Sequence, residues 1–165
     1  MCKKLLHIDL ENLPAIMIQF VYGQIATSDL KIFNEITDRL KGNMGRLTAK
    51  QLAQSVYTLV RTNLPQIGDV TNEAVAAFHQ KTKLKSQEYS QERVTVLWSA
   101  SKSANLDFSI YEQMLKTEII NIEKYNDRVF VQLINSIGVL SPNLELKTLQ
   151  DLLEQISKFL EKKGK

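Results

Sequence analysis

Ser90-Gln91-Glu92-Arg93-Val94-Thr95-Val96-Leu97-Trp98-Ser99-Ala100-Ser101-Lys102 is the stretch that decides the fold. Val94, Leu97, Trp98 and Ser101 lie on one helical face, and a second apolar stretch of helix length follows, with Tyr111, Met114, Leu115 and Ile119 on its face. Such a pair of stretches, divided by a short break, occurs four times along the chain. The anchors of the first stretches are Phe20, Tyr57, Trp98 and Ile134, which are 37, 41 and 36 residues apart by numbering. Those of the second stretches, Phe33, Val75, Tyr111 and Leu149, are 42, 36 and 38 apart. Two independent series with one rough period predict helical hairpins that bury their apolar faces on one another. The expectation is an all-α, right-handed solenoid of about four antiparallel hairpins in a single domain, 1–165. The repeats fall at approximately 9–45, 46–87, 88–124 and 125–163.

Local signals place the helix ends. In the first unit Leu13, Ile16, Met17, Phe20 and Val21 share a face, and Pro14 sits in the first turn, where its missing N–H costs nothing. Ser28 or Asp29 caps the second helix, with Phe33, Ile36 and Leu40 inward and Gly42 and Gly45 stopping it. Thr48 and Gln51 form a capping box ahead of Leu52, Val56, Leu59 and Val60. Thr71 caps the helix that carries Val75 and Phe78, and Ser109 and Glu112 form another capping box. The fourth unit starts near Asn126, with Phe130, Leu133, Ile134 and Ile137 inward. Ser141 as cap and Pro142 at the first helical position open the last helix, whose inner side is Leu149, Leu152, Leu153, Ile156 and Phe159. Its outer positions, Lys147, Gln150, Asp151, Glu154, Gln155 and Lys158, make it a polar-backed cap of the array. The last residues, from Glu161 to Lys165, carry no apolar side chain and are expected to make electrostatic contacts only.

Composition excludes several classes. With 44% hydrophobic and 24% charged residues the 165-residue chain is that of a globular domain and not a disordered one. Six Gly and three Pro are too few for a turn-rich all-β domain. The longest apolar stretch, Leu13 to Ile25, is interrupted by Gln19, Gly23 and Gln24 and falls short of the ~20 residues of a membrane span. Cys2 is the single cysteine and forms no internal disulfide, which suits a reducing compartment. Met1-Cys2-Lys3-Lys4-Leu5-Leu6 reads neither as a secretory signal nor as an Arg-rich transit peptide.

Leu97-Trp98-Ser99-Ala100-Ser101-Lys102 resembles the L-W-[AS]-x-[AS]-K core of the helical repeats in FAST-kinase-like proteins. Val56-Tyr57-Thr58-Leu59-Val60-Arg61 corresponds to it, as do, in looser form, Leu133 to Gly138 and Phe20 to Gln24. Related repeats are the heptatricopeptide and octotricopeptide types. The resemblance implies a mitochondrial, matrix-located protein that acts on RNA in a ribosome or RNA-processing complex, although a cytoplasmic location stays open. Proteins of this kind often end in a RAP domain, for which this chain has no room after the fourth unit.

Charge supplies the candidate site. From Arg39 to Gln87 eight basic residues, Arg39, Lys41, Arg46, Lys50, Arg61, Lys81, Lys83 and Lys85, face two acids, a balance of +6 within a chain of +3. From Glu88 to Ser157 ten acids face six bases, a balance of −4. Lys41 and Arg46 lie in the turn before the second unit, and Lys83 and Lys85 in the turn after it. A line of cations on one edge suits a phosphate backbone. Arg61 and Lys102 each follow an aromatic anchor by four residues, where repeat proteins meet one base per repeat. The alternative is that they interact with the C-terminal ends of their own helices, which is preferred for Lys102. Phe20, Tyr57, Phe78 and Trp98 are assigned to packing. His7 and His79 have no metal-ligand spacing, Asp107 and Glu112 read as helix-start partners, and no phosphate loop or nucleophile motif is present. The expectation is a non-enzymatic protein with no cofactor, no metal, no small-molecule substrate and no membrane span. It would meet RNA, such as rRNA, through the basic belt and protein subunits elsewhere. The alternative is an accessory subunit of a respiratory complex or ATP synthase, built of protein contacts alone.

Overall fold

A computed structural model describes residues 30–62, 67–84, 88–102 and 108–164. All α-helices below lie within those residues: α1 (Leu30–Asn43), α2 (Ala49–Thr62), α3 (Gly68–Thr82), α4 (Ser90–Ala100), α5 (Phe108–Ile119), α6 (Asp127–Leu140) and α7 (Leu146–Lys163). Three single 3₁₀ turns join them, at Met44–Arg46, Ile122–Lys124 and Ser141–Asn143, and no strand occurs among the described residues. The chain is therefore all-α there. The helix expected around Phe20, with Pro14, its Ser28 or Asp29 successor cap and the Phe33 side chain, lies outside the described residues.

Capping explains why two of the helices start where they do. Thr48 and Gln51 close a capping box: the Gln51 N–H donates to Thr48 Oγ1 (3.2 Å) and the Thr48 N–H to Gln51 Oε1 (2.8 Å). Asn126 caps α6 by accepting from the Val129 N–H at 3.0 Å. The corners leading into these two helices share one construction. Each is a 3₁₀ turn with a buried first residue, Met44 or Ile122, followed by an extended buried residue, Leu47 (φ −71°, ψ 145°) or Tyr125 (φ −86°, ψ 139°).

Other expected ends move. Thr71 does not cap α3, which starts at Gly68; its hydroxyl donates back to the Ile67 carbonyl at 2.9 Å. Ser109 lies inside α5, and Glu112 binds Lys116 (2.8 Å) and accepts from Thr148 Oγ1 (2.5 Å). Ser141 and Pro142 form the 3₁₀ turn, and α7 begins only at Leu146. Gly42 is helical, and α1 runs on to Asn43.

The helices form two rows. In the first, α4 packs between α2 and α6; in the second, α1 packs on α3, α3 on α5 and α5 on α7. Between the rows α2 lies on α3 and α4 on α5. The sequence dictates the first row's spacing. Thr58, Ser99 and Ser136, 41 and 37 residues apart, are buried, and each hydroxyl donates to the carbonyl four residues back, on Gln54, Thr95 and Gln132. Small side chains whose one donor is satisfied within their own helix let backbones approach closely. Leu59, Ala100 and Ile137 follow one residue later and face the core, with exposures of 0%, 0% and 4%. By this register Ile134 is equivalent to Val56 and Leu97, and it is Asn135 that corresponds to Tyr57 and Trp98.

Arg93 and Glu118 ties the rows together. Both are buried, and the guanidinium Nε–H donates to one carboxylate oxygen while the Tyr125 hydroxyl donates to the other. Arg93 Nη1 also reaches the Thr82 carbonyl at 3.4 Å. One side chain thus links α4 to α5, to the end of α3 and, through Glu118, to the corner before α6. Burial pushes the Glu118 carboxyl up, against the pull of Tyr125, Arg93 and Ser90, and burial together with Glu118 keeps the Tyr125 phenol protonated.

Candidate nucleic-acid interface

The outer face of the first row is where α2, α4 and α6 present equivalent polar positions. Lys50, Gln91 and Arg128 form one line across the three helices and Gln54, Thr95 and Gln132 the next, in the register that the buried hydroxyls set. Beyond them stand Tyr57 and Trp98, both half-buried, their rings stacked with centroids 6.3 Å apart and planes inclined by 20°. Lys102 Nζ lies over the Trp98 ring, 3.6 Å from its centroid. The Arg61 guanidinium lies 5.4 Å from the Tyr57 centroid, and its Nη1 donates to the Tyr57 hydroxyl at 3.0 Å. Two grooves flank this cluster. One, of about 290 Å³, runs between α2 and α4 past Lys50, Gln54 and Glu92. The other, of about 340 Å³, runs between α4 and α6 past Asn126, Arg128 and Gln132. They share Tyr57, Gln91 and Thr95, so they form one trough.

The eight belt residues do not form a single line. The Lys81 ammonium donates to the Gly45 carbonyl at 2.9 Å, which brings the end of α3 against the preceding corner and puts Arg46, Lys81 and Lys83, all exposed, in one neighbourhood. Lys50 lines the trough, and Arg61 lies against Tyr57 at its rim. Lys41 belongs to the second row, where it pairs with Glu73 at 2.7 Å. That hydrogen bond and charge hold its ammonium above the usual lysine range, so any phosphate has to compete with Glu73. Arg39, on α1, is half-buried, and Lys85 lies outside the described residues.

The aromatic residues divide as well. Phe78 is fully buried, as a packing residue should be. Tyr57 and Trp98 pack on each other and also border the trough, a position that spacing alone does not separate from a core one. Lys102 rests on its own aromatic neighbour, where a helix-end role was preferred. Arg128, Gln91 and Gln132 were not singled out by sequence reading; their signal was their recurrence in step with the buried hydroxyls.

His79 meets Gln113 at 3.1 Å, and His7, Cys2 and Asp107 lie outside the described residues. Among the described residues no group of three His, Cys, Asp or Glu is placed to hold a metal, and no helix is long and apolar enough to cross a membrane. Comparison with protein-family models, with curated proteins and with solved structures finds no match.

Proposed function

We propose that the protein is a non-enzymatic helical-repeat subunit that binds single-stranded RNA across α2, α4 and α6, as a component of an organellar ribonucleoprotein, with the mitochondrial ribosome first among them. The reading includes the finer architecture: a right-handed solenoid of four hairpins, the first completed by the helix around Phe20. One observation carries it, the Tyr57–Trp98 stack with a cation on each ring at the rim of a polar trough. Unpaired bases stack on aromatic and guanidinium planes, and their edges pair with amide side chains such as Gln54, Gln91 and Gln132. Arg46, Lys81 and Lys83 supply charge at the neighbouring edge for the backbone. The mitochondrial assignment rests on the sequence resemblance.

Fluorescence anisotropy with single-stranded and duplex RNA, over a salt series, tests the proposal. Trp98→Ala should weaken single-strand binding by about 1–3 kcal/mol, the worth of one stacked base. Reversing Arg46, Lys81 and Lys83 together should lower the log–log salt slope by about 2 on single strands. Absence of wild-type binding at low salt defeats the RNA reading. It then favours the second one, a protein-only subunit of a respiratory complex or ATP synthase. That alternative has its own support, since Lys41 and Lys81 already have surface partners within the chain, the Glu73 carboxylate and the Gly45 carbonyl. Co-sedimentation of the tagged protein with mitochondrial ribosomes or with respiratory complexes decides the assembly.

A further inference from the structure

We infer that the two matching corners, Met44–Arg46 and Ile122–Lys124, form a two-point clamp for an RNA backbone. Arg46 and Lys50 make one point, Lys124 and Arg128 the other. The clamp rests on the RNA reading above and deepens it, because it carries the footprint into the half of the chain whose charge balance is −4.

Each pair stands in the same place on its corner. Arg46 and Lys124 close the 3₁₀ turns, and Lys50 and Arg128 are the second residues of α2 and α6. At both positions the two corners are 78 residues apart by numbering. All four residues are exposed, and none has a hydrogen-bond or ion-pair partner among the described residues. Lys41, Lys81, Lys116 and Lys158, by contrast, meet Glu73, Gly45, Glu112 and Glu154. The second corner also holds two acids, Glu123 and Asp127. The end of α7 neutralises both: Lys162 reaches Glu123 at 2.9 Å and Lys163 reaches Asp127 at 2.8 Å. That is the electrostatic role expected of the tail. Leu153 of the same helix, expected to face inward, is 51% exposed and takes no part.

The points flank the trough. Lys50 lines it at α2 and Arg128 at α6. The starts of α2 and α4 border one groove, and those of α4 and α6 border a second, which Lys124 and Asn126 line. The three helix starts therefore share one edge, and a backbone along that edge leaves its bases to the trough. On α4, Gln91 holds the position equivalent to Lys50 and Arg128, with Glu88 and Glu92 beside it. Phosphates are disfavoured there, so the contacts come in two pairs with one helix between them. Packed helices lie about 8–10 Å apart, which separates the pairs by roughly 16–20 Å. A strand bridges that span and a single nucleotide does not, so the ligand is an oligonucleotide.

Fluorescence anisotropy of the full chain with a length series of oligouridylates, each over a salt series, is the test. Wild-type affinity should step up at the length that first reaches both corners. Lys124→Gln with Arg128→Gln should remove that step and lower the log–log salt slope on long oligomers by about 1.4, the loss of two phosphate contacts. Arg46→Gln with Lys50→Gln should do the same. Lys31→Gln with Lys147→Gln, exposed residues at the far ends of α1 and α7, should leave step and slope nearly unchanged. Melting temperatures should not fall, since Lys50 and Arg128 oppose the dipoles of their own helices. Suppose that the wild type binds, Trp98→Ala weakens it and Lys124→Gln with Arg128→Gln has no effect. The clamp is then overturned and the RNA reading stands. An equal loss in the Lys31 and Lys147 variant overturns the clamp as well, in favour of diffuse charge. No wild-type binding at low salt removes both.

Discussion

The two rows of helices are held together sideways by different means. In the first row, α2, α4 and α6 approach over Thr58, Ser99 and Ser136, buried residues whose hydroxyls are satisfied within their own helices. In the second row, α1, α3, α5 and α7 are bridged by polar side chains: Lys41 to Glu73, His79 to Gln113 and Thr148 to Glu112. The second row is packed as well, through Leu40, Phe78, Tyr111 and Leu152, but polar side chains bridge it where the first row has small buried ones, and an exposed ion pair such as Lys41–Glu73 contributes little. The difference teaches where precision is needed. The row that carries the trough is the one whose helices cross over buried hydroxyl-bearing side chains, and that shared register sets Tyr57, Trp98 and the amide lines side by side.

The tie between the rows should be the most sensitive point. Glu118→Ala leaves the Arg93 guanidinium buried without its carboxylate and should cost about 3–5 kcal/mol in urea unfolding. A loss near zero would mean that water reaches Arg93. Next comes the crossing itself. Ser99→Leu should destabilise by about 1–3 kcal/mol through overpacking, while Gln113→Leu in the second row should leave the midpoint almost unchanged. Equal losses would erase the contrast. Trp98→Ala should cost about 1–2 kcal/mol, less than a fully buried Trp, because the half-buried indole has less contact to lose. A loss at the full core value would place the ring in the interior and weaken the base-stacking reading.

The smallest effect concerns Glu112. Lys116 and then Thr148 hold its carboxyl below the usual value of 4.5. A depressed carboxylate stabilises the fold above the unfolded value, and the contribution disappears as pH falls through the folded one. Glu112→Gln should therefore melt slightly lower than wild type at neutral pH, and the gap should close as the pH drops below 4.5. A gap that persists in acid would assign the effect to shape and not to charge.

Much of this was legible in the sequence. Period and apolar spacing located the helices, and the Thr48–Gln51 pattern placed one start to the residue, because capping is a local interaction. Thr71 and Ser141 misled for the opposite reason: each has the right chemistry for a cap, but their helices start elsewhere, at Gly68 and Leu146. The basic residues were visible as a charge excess, yet their division among corner, trough and second row depends on which carbonyl or carboxylate each one meets, as Lys81 meets Gly45. Arg93 and Glu118 were missed because they entered only the charge balance from Glu88 to Ser157. The clue was that Glu118 falls between Met114 and Ile119 on an otherwise apolar face.

The matching corners at Met44–Leu47 and Ile122–Tyr125 bear on how such a gene can change length. They share one backbone form and are followed by Thr48 and Asn126, which serve the same capping role. A tandem duplication of residues 47–124, inserted after Lys124, would join a corner to a helix start of the kind it already precedes. Such an event adds whole hairpins without creating a new junction. Recombination in steps of that size meets little structural resistance, whereas an insertion that splits a corner has to unmake it.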